Sequence, residues 1–301
     1  MLAEGARLPR LYVMVEPGKA LDSLIAAGPR LGLHDQRLTV RAVKLYADGA
    51  LGSRGAALLA DYSDEAGSRG LVLLEPADLD RQIRRAMAAG IQPAVHAIGD
   101  GANRLVLDAY QRVLHDLRTS DPRPRIEHAQ IVAREDWPRF AALGVIASMQ
   151  PTHATSDMPW AEARLGNARL AGAYAWRRLL DARAHLAFGS DAPVEGVSPI
   201  AGIYAAVTRQ DGNCWPPGGW LPEERLSVEE AVRLYTLDAA YAAFEEDIKG
   251  SIAVGKLADF VVLSQDIRRV EANEILGTEV KATVLGGVVV YGRVPVVEQK
   301  E

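Results

Sequence analysis

The chain has 301 residues, enough for one large domain or two ordinary ones, and 49% of them are hydrophobic, which excludes a disordered polymer. A net charge of −5 without a basic cluster argues against a nucleic-acid partner, and no apolar run is long enough for a membrane helix. The one cysteine, Cys214, excludes an intrachain disulfide, and Glu4, Arg7 and Arg10 interrupt any apolar leader, so the cytoplasm is the expected location.

In chain order, Leu11–Val15 reads as a buried strand, followed by an Ala/Leu-rich helix near Ala20–Ala27. Val40–Tyr46 is the next strand, and the polar, glycine-bearing stretch Ala47–Arg54 is a loop. Pro76 and Asp78 open a helix that Gly90 stops. Ile91–His96 follows as a strand, and Leu105, Ala109, Val113 and Leu117 then recur every four residues as one apolar helical face.

The alternation goes on. Arg125–His128 is a strand, Glu135–Leu143 a helix ended by Gly144, and Val145–Gln150 a strand. A helix near Ala171–Leu180 precedes the strand Leu186–Ser190. Ser198–Arg209 is helical, Gly212–Pro222 is a Pro/Gly/Trp loop, and Ser227 with Glu230 forms a capping box for a helix carrying Val232, Tyr235 and Ala239. Strands alternating with helices predict a parallel sheet covered by helices. From Lys249 onward short β runs between glycine turns (Gly250–Leu263, Ala282–Tyr291) suggest a separate small β domain, with a boundary near Ile248.

Several apolar runs close on a ligand-capable side chain: Val43-Lys44, Ala94-Val95-His96, Ile126-Glu127-His128 and Ala187-Phe188-Gly189-Ser190-Asp191. In a (β/α)8 barrel the C-terminal strand ends face the active-site mouth, so these side chains would converge there. Two histidine nitrogens and one carboxylate from His96, His128 and Asp191 suit Zn²⁺, with one position left for water. A lone histidine is more often a satisfied core or turn residue, and Lys44 taken alone reads as an ordinary salt-bridging lysine. A protonated lysine beside a metal would be repelled, unless CO₂ converts its amine to a carbamate. His153, just past a strand end, either contacts substrate or lies in a surface loop; Arg54 either holds a substrate carboxylate through its planar fork or caps a loop. His34, His115 and His185 lie away from the predicted strand ends and read as structural. Ser53 and Ser190 lack the glycine pattern of a nucleophile elbow, and Cys214 sits in a Pro-rich loop, so covalent catalysis is unsupported.

The stretches Lys44–Arg54, His96–Asp100, Arg125–Gln130, Met149–His153, Gly189–Pro193 and Gly250–Leu263, in this order, resemble the metal-dependent amidohydrolase superfamily. The branch they resemble is amidohydrolase family 3, the YtcJ-like group related to N-substituted formamide deformylases. The resemblance covers nearly the whole chain. It implies a TIM-type (β/α)8 barrel plus a β-sandwich built from both chain ends. It also implies a divalent metal, zinc by analogy, held by a carbamylated Lys44 with His96, His128 and Asp191. Such proteins hydrolyse C–N bonds, often amides of small molecules, with metal-activated water. Asp191 would be the general base, and His153, Arg54 and Gln150 the substrate-side candidates.

One departure stands out. The family carries a His-x-His pair on its first barrel strand, and this sequence has none. Six βα units are found where the barrel needs eight, so the expected fold is an α/β barrel lacking its first strands (residues 1–248) plus a remnant of a small β-sandwich (249–301). The chain then resembles the C-terminal portion of a longer enzyme, with Leu11–Val15 as the family's third strand. Three readings stay open: a metal-dependent amidohydrolase, an inactive remnant or partner-dependent subunit, and an α/β protein binding a sugar or cofactor. Homo-oligomerisation stays open as well.

Overall fold

The computed structural model describes residues 8–117 and 119–294; residues 1–7, part of the segment read as having no leader, lie outside it. The elements run β1 (Leu11–Val15), α1 (Lys19–Ala27), β2 (Arg30–Gly32), α2 (Leu33–Gln36), β3 (Leu38–Tyr46), α3 (Pro76–Ala88), β4 (Gln92–Ala97) and α4 (Asp100–Asp116). They continue as β5 (Arg125–His128), α5 (Trp137–Leu143), β6 (Ile146–Met149), α6 (Pro151–Leu165), α7 (Asn167–Leu170), α8 (Trp176–Asp181), β7 (His185–Phe188) and α9 (Pro199–Thr208). The chain ends in α10 (Val228–Tyr235), α11 (Leu237–Ala242), β8 (Phe260–Leu263), β9 (Val280–Leu285) and β10 (Val288–Gly292).

Strands β1, β3, β4, β5, β6 and β7 pair in that order and in parallel, each linked to the next by at least one helix, and β2 lies antiparallel against β3. This is the larger arc of a (β/α)8 barrel. Among the described residues β1 and β7 do not pair with each other, so the arc is open. A second, antiparallel sheet of order β10-β9-β8 follows. It is joined to the start of the barrel by Arg10, whose Nε and Nη2 donate to Asp259 Oδ2 and Oδ1 at 2.5 and 2.8 Å.

The pleat sorts side chains between the two faces of the sheet. On the outer face Val43, Leu45, Val95, Ile126, Ala147 and Leu186 are buried, in one core with Ile83, Met87, Val106, Tyr110 and Phe140 of the covering helices. On the inner face the registers set Lys44 beside Ala94, Tyr46 beside His96, and His96 beside Glu127. Glu127 lies next to Ser148, and Ser148 next to Ala187. A one-residue slip would exchange the faces, so the apolar pattern of the outer face is what aims Lys44 and His96 inward.

Several local expectations change. The apolar stripe of α4 is Ala102, Val106, Ala109, Tyr110 and Val113; it packs against both sheet and α3, and Leu105 falls at its margin. The helix expected over Ala171–Leu180 begins only at Trp176, because Ala173 bridges to Ile131 and Tyr174 has a φ of +51°. The capping box at Ser227 and Glu230 is present, but its helix stops at Tyr235, and Ala239 belongs to α11 after a break at Thr236. Helix α6, with Pro151 in its first turn and Pro159 inside it, follows β6 directly, so His153 lies in the first turn of a helix and not in a surface loop.

Candidate metal centre

Lys44 lies two residues before the end of β3, His96 one before the end of β4, His128 is the last residue of β5, and Asp191 follows β7 by three. His128 and Asp191 take left-handed backbone, φ +78° and +58°, which turns their side chains out of the strand alternation at a cost of about 1–3 kcal/mol each. The structure brings all four to one cavity of about 490 Å³ at this mouth, together with His153. Ligand atoms of His128, His153 and Asp191 lie within 4.8 Å of one another. The His96 and His128 rings meet edge to face at 4.6 Å between centroids, and those of His128 and His153 are stacked at 5.7 Å.

His153 thus joins the ligand-capable cluster. It sits in the first turn of α6, with Nε2 at 3.6 Å from Asp191 Oδ2 and no hydrogen-bond partner, although it is buried. His96 Nε2 is likewise buried without a hydrogen bond. Asp48 Oδ1 is 3.5 Å away, but it already accepts the Ile98 N–H at 2.9 Å. Unpartnered buried nitrogens are costly unless something else fills their lone pairs, and a cation does that.

The remaining polar contacts prepare these rings. Gln150 Nε2 donates to the Ser148 carbonyl at 3.1 Å, which leaves its Oε1 to accept from His128 Nδ1 at 2.8 Å. That bond puts the proton on Nδ1 and frees the Nε2 lone pair. Burial, the His128 charge and Lys44 push His96 down to about 3, and burial and Lys44 push His128 down to about 4. Both are therefore neutral near pH 7. Burial lowers the Lys44 ammonium as well, against the pull of Glu127 and Asp191. Beneath the cluster Arg125 clamps Glu127 in two bonds of 2.8 and 3.0 Å and reaches Ser148 Oγ at 3.1 Å.

Asp48 buttresses the mouth. Its carboxylate is fully buried, and its oxygens take the N–H groups of Ala57, Ile98 and Gly99 at 2.8, 2.9 and 2.8 Å. Burial pushes it up to about 7 against these three donors. Arg54 is not brought to the cavity wall: its guanidinium donates to both oxygens of Asp64 at 3.1 and 3.0 Å and pairs with Glu65 at 3.0 Å. Among residues that sequence reasoning passed over, Tyr46, Gln130, Asp157, Trp160 and Glu195 line the cavity. A larger cleft of about 630 Å³ is lined by Tyr12, Met14 and Arg125 of the sheet and by Tyr235, Ala239 and Ile252. None of the expected site residues lines it.

A profile of the amidohydrolase family matches residues 2–291. The protein YtcJ of Bacillus subtilis (strain 168) is 38% identical over 250 residues, covering 83% of this chain and 47% of its own length. The N-substituted formamide deformylase of Arthrobacter pascens is 32% identical over 213 residues, covering 69% of this chain and 38% of its own. Among solved structures, an uncharacterized metal-dependent hydrolase from Pyrococcus horikoshii superposes with a TM-score of 0.79 at 31% identity, over 90% of this chain and 53% of that one. The chain therefore spans about half or less of the length of these curated relatives. No helix among the described residues is long and apolar enough to cross a membrane.

Proposed function

The chain belongs to the amidohydrolase family, and on that premise we propose that its strand-end cluster holds a divalent metal, zinc in the first instance, and hydrolyses an amide-type, non-peptide C–N bond of a small molecule. The observation that carries this reading is the meeting of His128, His153 and Asp191 within 4.8 Å, with Lys44 and His96 on the same cavity. These come from five separate stretches of sequence, and Nε2 of His96 and of His153 is buried without a hydrogen bond. His96, His128 and Asp191, with Lys44 as its carbamate, would hold the cation; His153 is a further donor beside Asp191. Carbamate formation needs the unprotonated amine to attack CO₂ and lose a proton, and the lowered Lys44 pKa favours that form.

When bound, the cation supplies Lewis acidity, which makes water ionisable near neutral pH and polarises a carbonyl. The protein's own groups do the rest. Asp191, more exposed than the histidines, is placed to accept a proton from water at Oδ2 and return it to the leaving amine. His153 next to that oxygen steadies the carboxylate and can orient a substrate carbonyl. Gln150 keeps His128 in the tautomer a ligand needs. On this reading residues 1–248 carry the reaction and 249–301 brace the barrel.

One observation favours a second reading, a subunit completed by another polypeptide: among the described residues β1 and β7, the two ends of the parallel sheet, each pair with a strand on one side only. One experiment decides between them. The purified chain is assayed for bound transition metal and, after zinc addition, for hydrolysis of N-substituted formamides and acyl anilides. Bound zinc with turnover that His128→Asn abolishes supports the hydrolase. Neither metal nor turnover rejects it for this chain.

A further inference from the structure

The outer half of the cavity differs in character from its metal end. Helix α6 sends His153, Asp157 and Trp160 toward the cavity from successive turns, four and then three residues apart. Asp157 is held in place: its Oδ2 accepts from Gln130 Nε2 at 2.8 Å and from the buried Tyr174 hydroxyl, and Gln130 Nε2 is itself 2.5 Å from that hydroxyl. Its Oδ1 receives no hydrogen bond among the described residues, so one oxygen is anchored and the other is available. Glu195, which lines the same cavity, adds like charge and raises the Asp157 carboxyl further, after burial. Neither carboxylate has an ion-pair partner among the described residues.

The cations that could have neutralised them are committed elsewhere. Arg54 and Arg164 share Asp64 outside the cavity lining, where the Arg164 guanidinium also lies 5.9 Å from the Trp160 ring centroid, and Lys44 lies at the metal end. Trp160 supplies the flat wall. It packs closely over Gly52, where a Cβ would come within 3.2 Å of Trp160 Cη2. An anchored carboxylate, a second acid and an indole make a site for a planar cation, which gains charge attraction and cation–π contact together. A carboxylate-bearing substrate meets repulsion instead.

We infer that this outer half selects substrates whose amine portion carries a planar, positively charged group, such as an amidinium or guanidinium, bound between Asp157, Glu195 and Trp160. Only the placement of the scissile bond at the cluster rests on the hydrolase reading; the charge preference rests on the outer wall.

The test is calorimetric titration of the full chain, zinc-free and zinc-loaded, with benzamidine, benzamide and benzoate, three probes of one shape and different charge. In both forms benzamidinium is expected to bind about tenfold or more tighter than benzamide, a difference one anchored ion pair readily supplies. Asp157→Asn and Glu195→Gln should each shrink that ratio at least about threefold, and Trp160→Leu should weaken both probes. Melting curves check that each variant is folded, and Glu195→Gln, at a half-buried loop residue, covers the case in which Asp157→Asn unfolds. Equal affinity for benzamidinium and benzamide, tighter binding of benzoate in the zinc-free form, or no binding at all overturns the inference. Charge-selective binding without any amide hydrolysis would sink the hydrolase reading alone; hydrolysis blind to charge would sink the inference alone.

Discussion

The tightest backbone approach at the mouth is at Gly99, and Gly99→Ala tests whether that approach holds the site together. A Cβ built on Gly99 falls 2.0 Å from the Ala57 carbonyl oxygen and 2.5 Å from its carbon, both backbone atoms that no rotamer can move. Relief requires the loop around Ala57 or the start of α4 to shift by more than 1 Å, given a normal contact of about 3.5 Å. Three bonds meet there: Ala57 N–H and Gly99 N–H to Asp48, both 2.8 Å, and Ala102 N–H to the Ala57 carbonyl at 3.1 Å. Overpacking costs about 1–3 kcal/mol, and weakening one of the charged bonds adds about 1.5–3. The expected loss is therefore about 3–5 kcal/mol in urea unfolding, a large share of the stability of a typical domain. Zinc affinity should fall with it, since His96 lies three residues upstream on the same strand end. Gly212→Ala, at a residue with open space around it and no left-handed backbone, is the control and should change nothing. A Gly99→Ala chain within about 1 kcal/mol of the parent would refute the argument, because it would mean the loop yields freely.

Removing the carbonyl that fixes the His128 tautomer, by Gln150→Leu, should weaken zinc about 10–100-fold in competition with a chromophoric chelator, whereas unchanged affinity would show that the contact is incidental. The zinc-free chain should lose stability in acid: His96 and His128 titrate at about 3 and 4 when folded but near 6.5 unfolded, so the unfolded chain takes up protons first as pH falls below 6.5. That is about 2 kcal/mol per histidine by pH 5, partly offset by Asp48, which at about 7 is protonated first in the folded chain. His96→Asn should flatten the pH 7-to-5 loss seen in denaturant titrations, and an unaltered slope would contradict the neutral assignment. Ser227→Ala removes the acceptor for the Glu230 N–H at 3.1 Å and should cost about 1 kcal/mol, without effect on zinc binding.

The parallel arc and four of the cluster's side chains were legible in the sequence because each strand is a short apolar run that ends abruptly in a polar residue. That pattern needs no tertiary information: Lys44, His96, His128 and Asp191 fall where β3, β4, β5 and β7 meet the mouth. What stayed hidden depends on α6. Two prolines and a run of Thr and His obscure its helical period, so His153 stayed open between substrate contact and a surface loop, and the faces of Asp157 and Trp160 had no frame. Asp48 was hidden for another reason: its donors come from residues 57, 98 and 99, a closure across about fifty positions that no local window contains. Arg54 shows the opposite failure. Its chemistry suits a carboxylate, and the structure supplies one internally, Asp64, only ten residues away.

Proton and metal compete for the same lone pairs, and the environment of this cluster handicaps the proton at His96, His128 and Lys44. Burial, which drives His96 to about 3 and His128 to about 4, also lowers the Lys44 ammonium. Glu127, a buried acid on the inner face, is kept below its usual range, despite its burial, by the Arg125 clamp and by Lys44. A set of side chains packed only for stability would not collect three imidazoles with two unbonded nitrogens at the end of a sheet. The expected acid sensitivity and the proposed affinity for a cation are thus two consequences of one desolvated pocket. A variant that relieves the first by replacing His96 should surrender the second.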